Sequence, residues 1–201
     1  MLSEASEVLG QKTQPAIGSE TRGRELAKQV VIVVAASLFI ALCARVAVPL
    51  PFTPVPLTLQ NFAVITVGLL LGSRRGFAAL ALYLAEGAIG LPVFSSAILG
   101  TGLAHLFGPT GGFLMAYPAV AFLAGWIYER SSRGFVWAVV ASTAAELLLF
   151  AGGLSWLALL THSVALAIKF GLYWFVFAEV IKIFMAAGVA QKFHHLNSSA
   201  N

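Results

Sequence analysis

The sequence predicts an all-α integral membrane protein, a bundle of six transmembrane helices with both termini cytoplasmic. Three observations carry that expectation. Hydrophobic residues make up 59% of the 201 positions and charged residues 10%, against roughly 25% charged in soluble domains, so too few polar side chains exist to cover a water-facing surface. The apolar residues gather into stretches near the length of about 20 that crosses a bilayer. The basic residues fall between those stretches on alternate sides. A mean hydropathy of +0.90, with no short repeat, excludes disordered and fibrous chains as well.

In chain order, residues 1–27 are expected to be a disordered cytoplasmic tail. Met1 to Glu25 is polar and lacks the apolar run and small-residue cleavage site of a signal peptide. The membrane domain is expected over residues 28–192. Its first span runs from about Lys28 to Val48 and ends at Pro49-Leu-Pro-Phe-Thr-Pro-Val-Pro56, where missing N–H groups and the extended bias before each proline demand a loop. The second span covers about Leu57 to Leu71 and stops at Gly72-Ser-Arg-Arg75; the third covers about Gly76 to Leu91 and stops at Pro92. Residues 92–112 are too broken for a span and too apolar for a solvated loop, so a partly buried loop is expected. The fourth span is about Phe113 to Tyr128, the fifth about Gly134 to Ser155 and the sixth about Tyr173 to Gln191. Trp156 to Leu172 reads equally as a short interfacial helix or as an extension of either neighbour. Residues 193–201 are expected to be a second cytoplasmic tail.

Basic residues set the orientation. Lys12, Arg22, Arg24 and Lys28 precede span one, Arg74 and Arg75 follow span two, Arg130 and Arg133 follow span four, and Lys192 follows span six. The intervening loops hold only Lys169, with Arg45 near the end of span one. Six spans put all the clusters on the cytoplasmic side. The formal charge of +4 therefore reads as topology and not as a nucleic-acid surface. The single cysteine, Cys43, allows neither an intramolecular disulfide nor a multi-cysteine metal site.

Ionisable groups at membrane depth cost several kcal/mol, about 2.5 or more each, and mark functional candidates. They are Arg45, Glu86, Glu146, Glu179 and Lys182, with Gln60, Asn61 and His105 as uncharged companions. Glu179 and Lys182 stand three apart on one helix face, an acceptor and a cationic donor suited either to a polar ligand or to pairing with each other. Glu86 reads as a cap for loop N–H groups, and Arg45 as a side chain reaching the outer interface. Glu146 reads as structural or proton-linked, and His105 has no second ligand at metal spacing. The glycines of Gly108-Pro-Thr-Gly-Gly112 would bring backbone and free N–H groups close to a ligand, or form a plain turn. Ser37, Ala41 and Ala44 make a small-residue stripe that serves either a partner's docking or packing inside the bundle.

Three ordered motifs then stand out. Val48-Pro-Leu-Pro-Phe-Thr-Pro-Val-Pro-Leu-Thr-Leu-Gln60, Leu82-Tyr-Leu-Ala-Glu-Gly-Ala-Ile-Gly-Leu-Pro-Val-Phe94 and Gly108-Pro-Thr-Gly-Gly-Phe113 resemble the BioY family, the biotin-binding S subunits of energy-coupling factor transporters. The resemblance covers residues 30 to 190 and is densest from 48 to 117. It implies a bacterial cell-membrane protein of six helices, with biotin held under the outer loops. It also implies docking, span one included, to a transmembrane coupling subunit carrying two ATPases. Substrate contact is implied for Gln60, Gly111, Gly112, Phe113, Tyr117, Glu179 and Lys182. No cofactor is implied, because ATP is used only by the partners. The family's last helix opens with a pattern like Gly-Leu-x-Pro-Phe-Leu-Pro-Gly-Asp-Leu-Ile-Lys. Here Gly171-Leu-Tyr-Trp-Phe-Val-Phe-Ala-Glu-Val-Ile-Lys182 keeps the lysine, has Glu179 for the aspartate, and replaces both prolines by Trp174 and Phe177.

That departure allows an earlier helix start and a reshaped pocket, so a different vitamin or a biotin precursor is a second ligand reading. An intramembrane enzyme using Glu86 or Glu146 with His105 is the reading from another class. It lacks a nucleophile or metal-ligand spacing.

Overall fold

A computed structural model describes residues 16–95 and 102–199. Among them the chain forms eight α-helices and one two-stranded antiparallel ribbon. The described chain divides into two units, at Ile32 and Val33. Helix α1, Ala16–Arg45, enters the first unit and continues into the second. Residues 1–15 of the expected tail lie outside the described residues. From Ala16 the expected tail is already helix, since Glu25, Leu26, Ala27 and Lys28 are strong helix formers contiguous with the apolar run.

The second unit holds every other element. Strands β1 (Ala47–Val48) and β2 (Leu57–Thr58) pair Ala47 with Thr58 and Val48 with Leu57, which turns the proline-rich segment into a closed hairpin loop. Four helices follow: α2 (Gln60–Leu71), α3 (Ser73–Ala88), a short α4 (Leu103–Leu106) and α5 (Gly111–Glu129). The last three are α6 (Phe135–Thr161), α7 (Val164–Gly171) and α8 (Val176–Ser199). Helix α5 packs against α2, α3 and α6, while α8 packs against α2 and α6 and α7 folds back on α6.

Length and composition give three helices able to cross a membrane, within α1, α5 and α6. A fourth is added if α7 and α8, bent by 52°, count as one span. Helix α2 is apolar but only 12 residues long.

The expected loop at Gly72-Ser-Arg-Arg75 is a single residue. Gly72 takes φ 82, a left-handed value natural to glycine, and α3 starts at once. Glu129 of α5 supplies the missing cap: its Oε1 accepts from the Ser73 N–H at 3.0 Å and its Oε2 from Ser73 Oγ at 2.7 Å. The sequence placed the α3 start three residues late because arginines were read as loop. At the other end, α3 finishes at Ala88, before Pro92, with Gly90 at φ 94.

Trp156 to Leu172 divides between both readings. Helix α6 extends to Thr161, His162 turns the chain at φ 51, and α7 begins with Ser163 capping the Leu166 N–H. Helix α8 does not start early despite the lost prolines. Leu172 to Phe175 remains a turn, with the Phe175 N–H on the Leu172 carbonyl at 2.9 Å. Trp174 packs on Phe52 of the hairpin loop, ring centroids 4.2 Å apart, so aromatic packing holds this corner. Residues 193–199, expected as tail, continue α8.

Alanine and glycine let the helices approach closely. Gly68, Gly76, Ala121, Ala124 and Gly125 form one seam between α2, α3 and α5. A Cβ at Gly125 would fall 2.5 Å from the Ser73 nitrogen and 2.7 Å from the Gly68 carbonyl oxygen.

Candidate functional site: a cavity under the hairpin loop

The amino-terminal turns of α2, α5 and α8 and the end of α7 converge at one end of the bundle. Between them lies a cavity with about 540 Å³ of empty space, its open mouth included. Val55, Pro56 and Thr58 of the hairpin cover it. Gln60 and Asn61, then Thr110, Phe113, Leu114 and Tyr117, form two walls, and Phe150, Gly171, Phe175 and Glu179 close the others. Ser95 and His105 complete the lining. Apolar and aromatic walls with a few convergent polar groups are the usual character of a small-molecule site.

Of the residues singled out from the sequence, Gln60, Phe113, Tyr117 and Glu179 share this cavity. Gln60 is buried, and its Nε2 donates to the Tyr83 hydroxyl at 2.9 Å, which donates on to the Val93 carbonyl at 3.1 Å. That relay fixes the amide plane. The Tyr117 hydroxyl donates to Asn61 Oδ1 at 2.7 Å, tying α5 to α2 and leaving the Asn61 NH2 group as donor.

Lys182 does not line the cavity; it stands behind Glu179. Its ammonium lies 2.7 Å from Glu179 Oε1, and both side chains are buried. Glu179 Oε2 has no hydrogen-bond partner, and neither has the buried Thr110 Oγ1. A native structure leaves few buried polar atoms unpaired, and these two belong to residues lining the same cavity. Glu146 on α6 lies within electrostatic reach of Glu179 and Lys182. It is buried, its carboxyl group stands beside that of Glu179, and it does not line the cavity.

Gly111 and Gly112 serve packing. A Cβ at Gly111 would collide with the Leu106 carbonyl, and one at Gly112 with the Trp156 side chain and the Gly152 carbonyl. Trp156 Nε1 meanwhile donates to the Gly108 carbonyl at 2.9 Å. Gly112 thus admits α6 and Gly111 the Leu106 carbonyl, and neither lines the cavity. In the small-residue stripe Ser37 and Ala44 are fully buried and Ala41 half-buried, and Ser37 Oγ donates to Glu86 Oε2. Glu86 thus bonds α1, and Arg45 donates to the Pro92 carbonyl.

Sequence reasoning noted Asn61 and His105 only as polar residues in apolar runs, and it missed Thr110, Phe150 and Phe175. Among 15 phenylalanines nothing local marks Phe150 and Phe175 as cavity residues. Thr110 sat inside a motif read for its glycines.

The second motif has its own physical account. Gly87 has no side chain because the Phe94 ring occupies the space where its Cβ would be. Phe94 stacks edge-on to Tyr83 at 5.4 Å and lies 5.0 Å from the His105 ring. The motif therefore builds the support of Gln60.

Comparison with known proteins completes the description. Residues 12–199 match the family model described as BioY family. Over 144 residues the chain is 39% identical to the biotin transporter BioY2 of Lactococcus lactis subsp. cremoris, covering 71% of this chain and 77% of that protein. Over 149 residues it is 35% identical to the biotin transporter BioY of Thermotoga maritima, covering 74% and 86%. Among solved structures, the S-component for biotin from an ECF-type ABC transporter superposes with a TM-score of 0.76 at 23% identity, covering 86% of this chain and 93% of that one. That last likeness speaks to the fold.

Proposed function

The chain belongs to the BioY family, and from that premise we propose that it is the biotin-capturing S subunit of an energy-coupling factor transporter, a transporter and not an enzyme. The observation that supports this most directly is the pair of unpartnered buried polar atoms, Glu179 Oε2 and Thr110 Oγ1, on residues of one aromatic-walled cavity. Biotin joins a ureido ring, with two N–H donors and a carbonyl, to an apolar thioether ring and a carboxylate tail. Glu179 Oε2 accepts a ureido N–H, Thr110 Oγ1 both accepts and donates, and the Asn61 amide donates. Phe113, Tyr117, Phe150 and Phe175 cover the apolar parts. Gln60 contributes its fixed amide plane, and Lys182 acts through Glu179.

In this reading α1, α2, α3, α5, α6 and α8 are the six spans of a bacterial cell-membrane protein, with both termini cytoplasmic and the cavity outside. Residues 28–192 form the membrane domain. A transmembrane coupling subunit and two ATPases drive release. With Ser37 and Ala44 turned inward, docking of that subunit falls to the flank beside them, where Leu38 and Leu42 are exposed. The altered entry to α8, with Trp174 and Phe177 for the prolines, supports a second reading in which the ligand is a related vitamin or a biotin precursor.

Binding of labelled biotin to the purified chain at sub-micromolar concentration, challenged with a panel of vitamins, tests both. Displacement of the label by another vitamin at lower concentration than unlabelled biotin requires selects the second reading, and no binding of any member rejects both.

A further inference from the structure

The end of the bundle opposite the ligand cavity holds a second cavity of different chemistry. It encloses about 700 Å³ of empty space, mouth included, between the carboxyl ends of α2, α5 and α8. One side is apolar, from Leu69, Leu70, Leu71, Ala190 and Phe193; the other carries Arg75, Arg133 and His194. Glu129 also lies on the wall, but both its oxygens are engaged by Ser73. Among the described residues the only ion pair is Lys182–Glu179, so neither arginine has a salt-bridge partner among them.

The placement of Arg133 is costly. It is one of two described non-glycine residues at positive φ, 55°, where bulky side chains are uncommon. The Tyr128 hydroxyl donates to its carbonyl at 2.6 Å, and its N–H donates to Ser131 Oγ at 3.3 Å, which brace the conformation. Arg130 next to it is engaged differently, over the Trp126 ring at 4.4 Å. Two guanidinium groups against one carboxylate leave the cavity with a charge of +1, His194 counted neutral.

We infer that this cavity binds one anionic phospholipid, its phosphodiester between Arg75 and Arg133 and its acyl chain along Leu70 and Phe193. A phosphodiester carries the complementary single charge, and guanidinium groups match its oxygens. The apolar half explains a lipid where free phosphate would have no use for it, and basic pockets between helix ends are where such headgroups settle. A docked acidic side chain of a partner protein would need the charge but not the greasy wall.

Native mass spectrometry of the purified chain, delipidated and then offered phosphatidylglycerol or phosphatidylcholine, reads the preference directly. The chain retains phosphatidylglycerol preferentially. The double substitution Arg75→Gln with Arg133→Asn reduces that preference by about thirty-fold, from roughly fivefold per arginine near an anionic headgroup. Asparagine tolerates the left-handed backbone, and unchanged binding of labelled biotin by the double variant reports an intact fold. If the variant does not fold, the wild-type comparison decides alone. Equal retention of the two lipids overturns the proposal. So does wild-type-like retention by a folded double variant, or displacement of the lipid by inorganic phosphate.

Discussion

The two carboxylate oxygens of Glu179 are divided: Oε1 takes the ammonium of Lys182 at 2.7 Å, while Oε2 is buried and unpartnered in a residue that lines the ligand cavity. The lysine holds the carboxylate aimed, and the ligand supplies the missing donor.

Removing Lys182 therefore acts at one remove. Lys182→Ala is expected to weaken biotin binding by about 1.5–3 kcal/mol, the worth of charge-assisted hydrogen bonds. It also leaves Glu179 and Glu146 without a cation, costing about 3–5 kcal/mol of stability. The double variant Lys182→Met with Glu179→Leu recovers most of that stability but not the binding. Titration calorimetry and thermal unfolding separate the two effects; unchanged biotin affinity in folded Lys182→Ala removes the lysine from the site.

Gln60 depends on Tyr83, which does not line the cavity. Tyr83→Phe removes the acceptor of the Gln60 amide and the donor to Val93, leaving the ring contact with Phe94 intact. The expected result is a loss of about 0.5–1.5 kcal/mol in biotin affinity, a two- to twelvefold rise in Kd. An unchanged Kd would show that the orientation of Gln60 is immaterial.

The sequence leaves the glycine motif open between a ligand approach and a plain turn, and in the structure Gly112 lies against Trp156 of α6. Gly112→Ala should lower stability through overpacking, by about 1–3 kcal/mol, because its Cβ meets Trp156. Trp156→Ala in the same molecule should relieve part of that cost, a coupling that independent sites do not show. Strict additivity in a double-mutant cycle would return the glycine to the ligand.

These cases show how far the sequence reached. Class, motifs and the polar residues of the apolar runs were legible because burial at membrane depth is expensive and few residue types tolerate it. Gln60, Phe113, Tyr117 and Glu179 came together as expected from residues far apart in the chain. What local pattern does not contain is direction. Nothing in Gly-Gly tells whether the open space faces a ligand or Trp156, and nothing in Ser37-x-x-x-Ala41 tells whether the stripe faces a partner or Glu86. The corner before α8 was misjudged for a related reason: proline loss was visible, but the ring of Phe52, 122 residues earlier in the chain, was the compensating contact.

The hairpin loop over the cavity is fastened at that same corner. Thr53 Oγ1 donates to the Phe170 carbonyl at 2.6 Å and accepts from the Val55 N–H at 3.1 Å. Thr53→Val keeps the shape and removes both bonds. Biotin should then leave faster, with koff raised about two- to twelvefold for the loss of one net hydrogen bond, and with little change in thermal stability. Stopped-flow chase of labelled biotin measures this. An unaltered koff would mean that the loop does not hold the ligand in.

Ala44 distinguishes the two fates of the small-residue stripe. It is fully buried in the chain by itself, so Ala44→Leu must force a larger side chain into a filled space. The isolated chain should lose about 1–3 kcal/mol of stability whether or not a coupling subunit is present. Were the stripe a docking face, the same substitution would leave the lone chain as stable as wild type and weaken only the complex. Leu42 is exposed and gives the opposite pattern: Leu42→Ala leaves the lone chain's melting temperature unchanged while reducing co-purification with the coupling subunit. The pair of substitutions, read by thermal unfolding and by co-purification, assigns each face of α1 independently. A stable lone Ala44→Leu chain would restore the stripe to the partner.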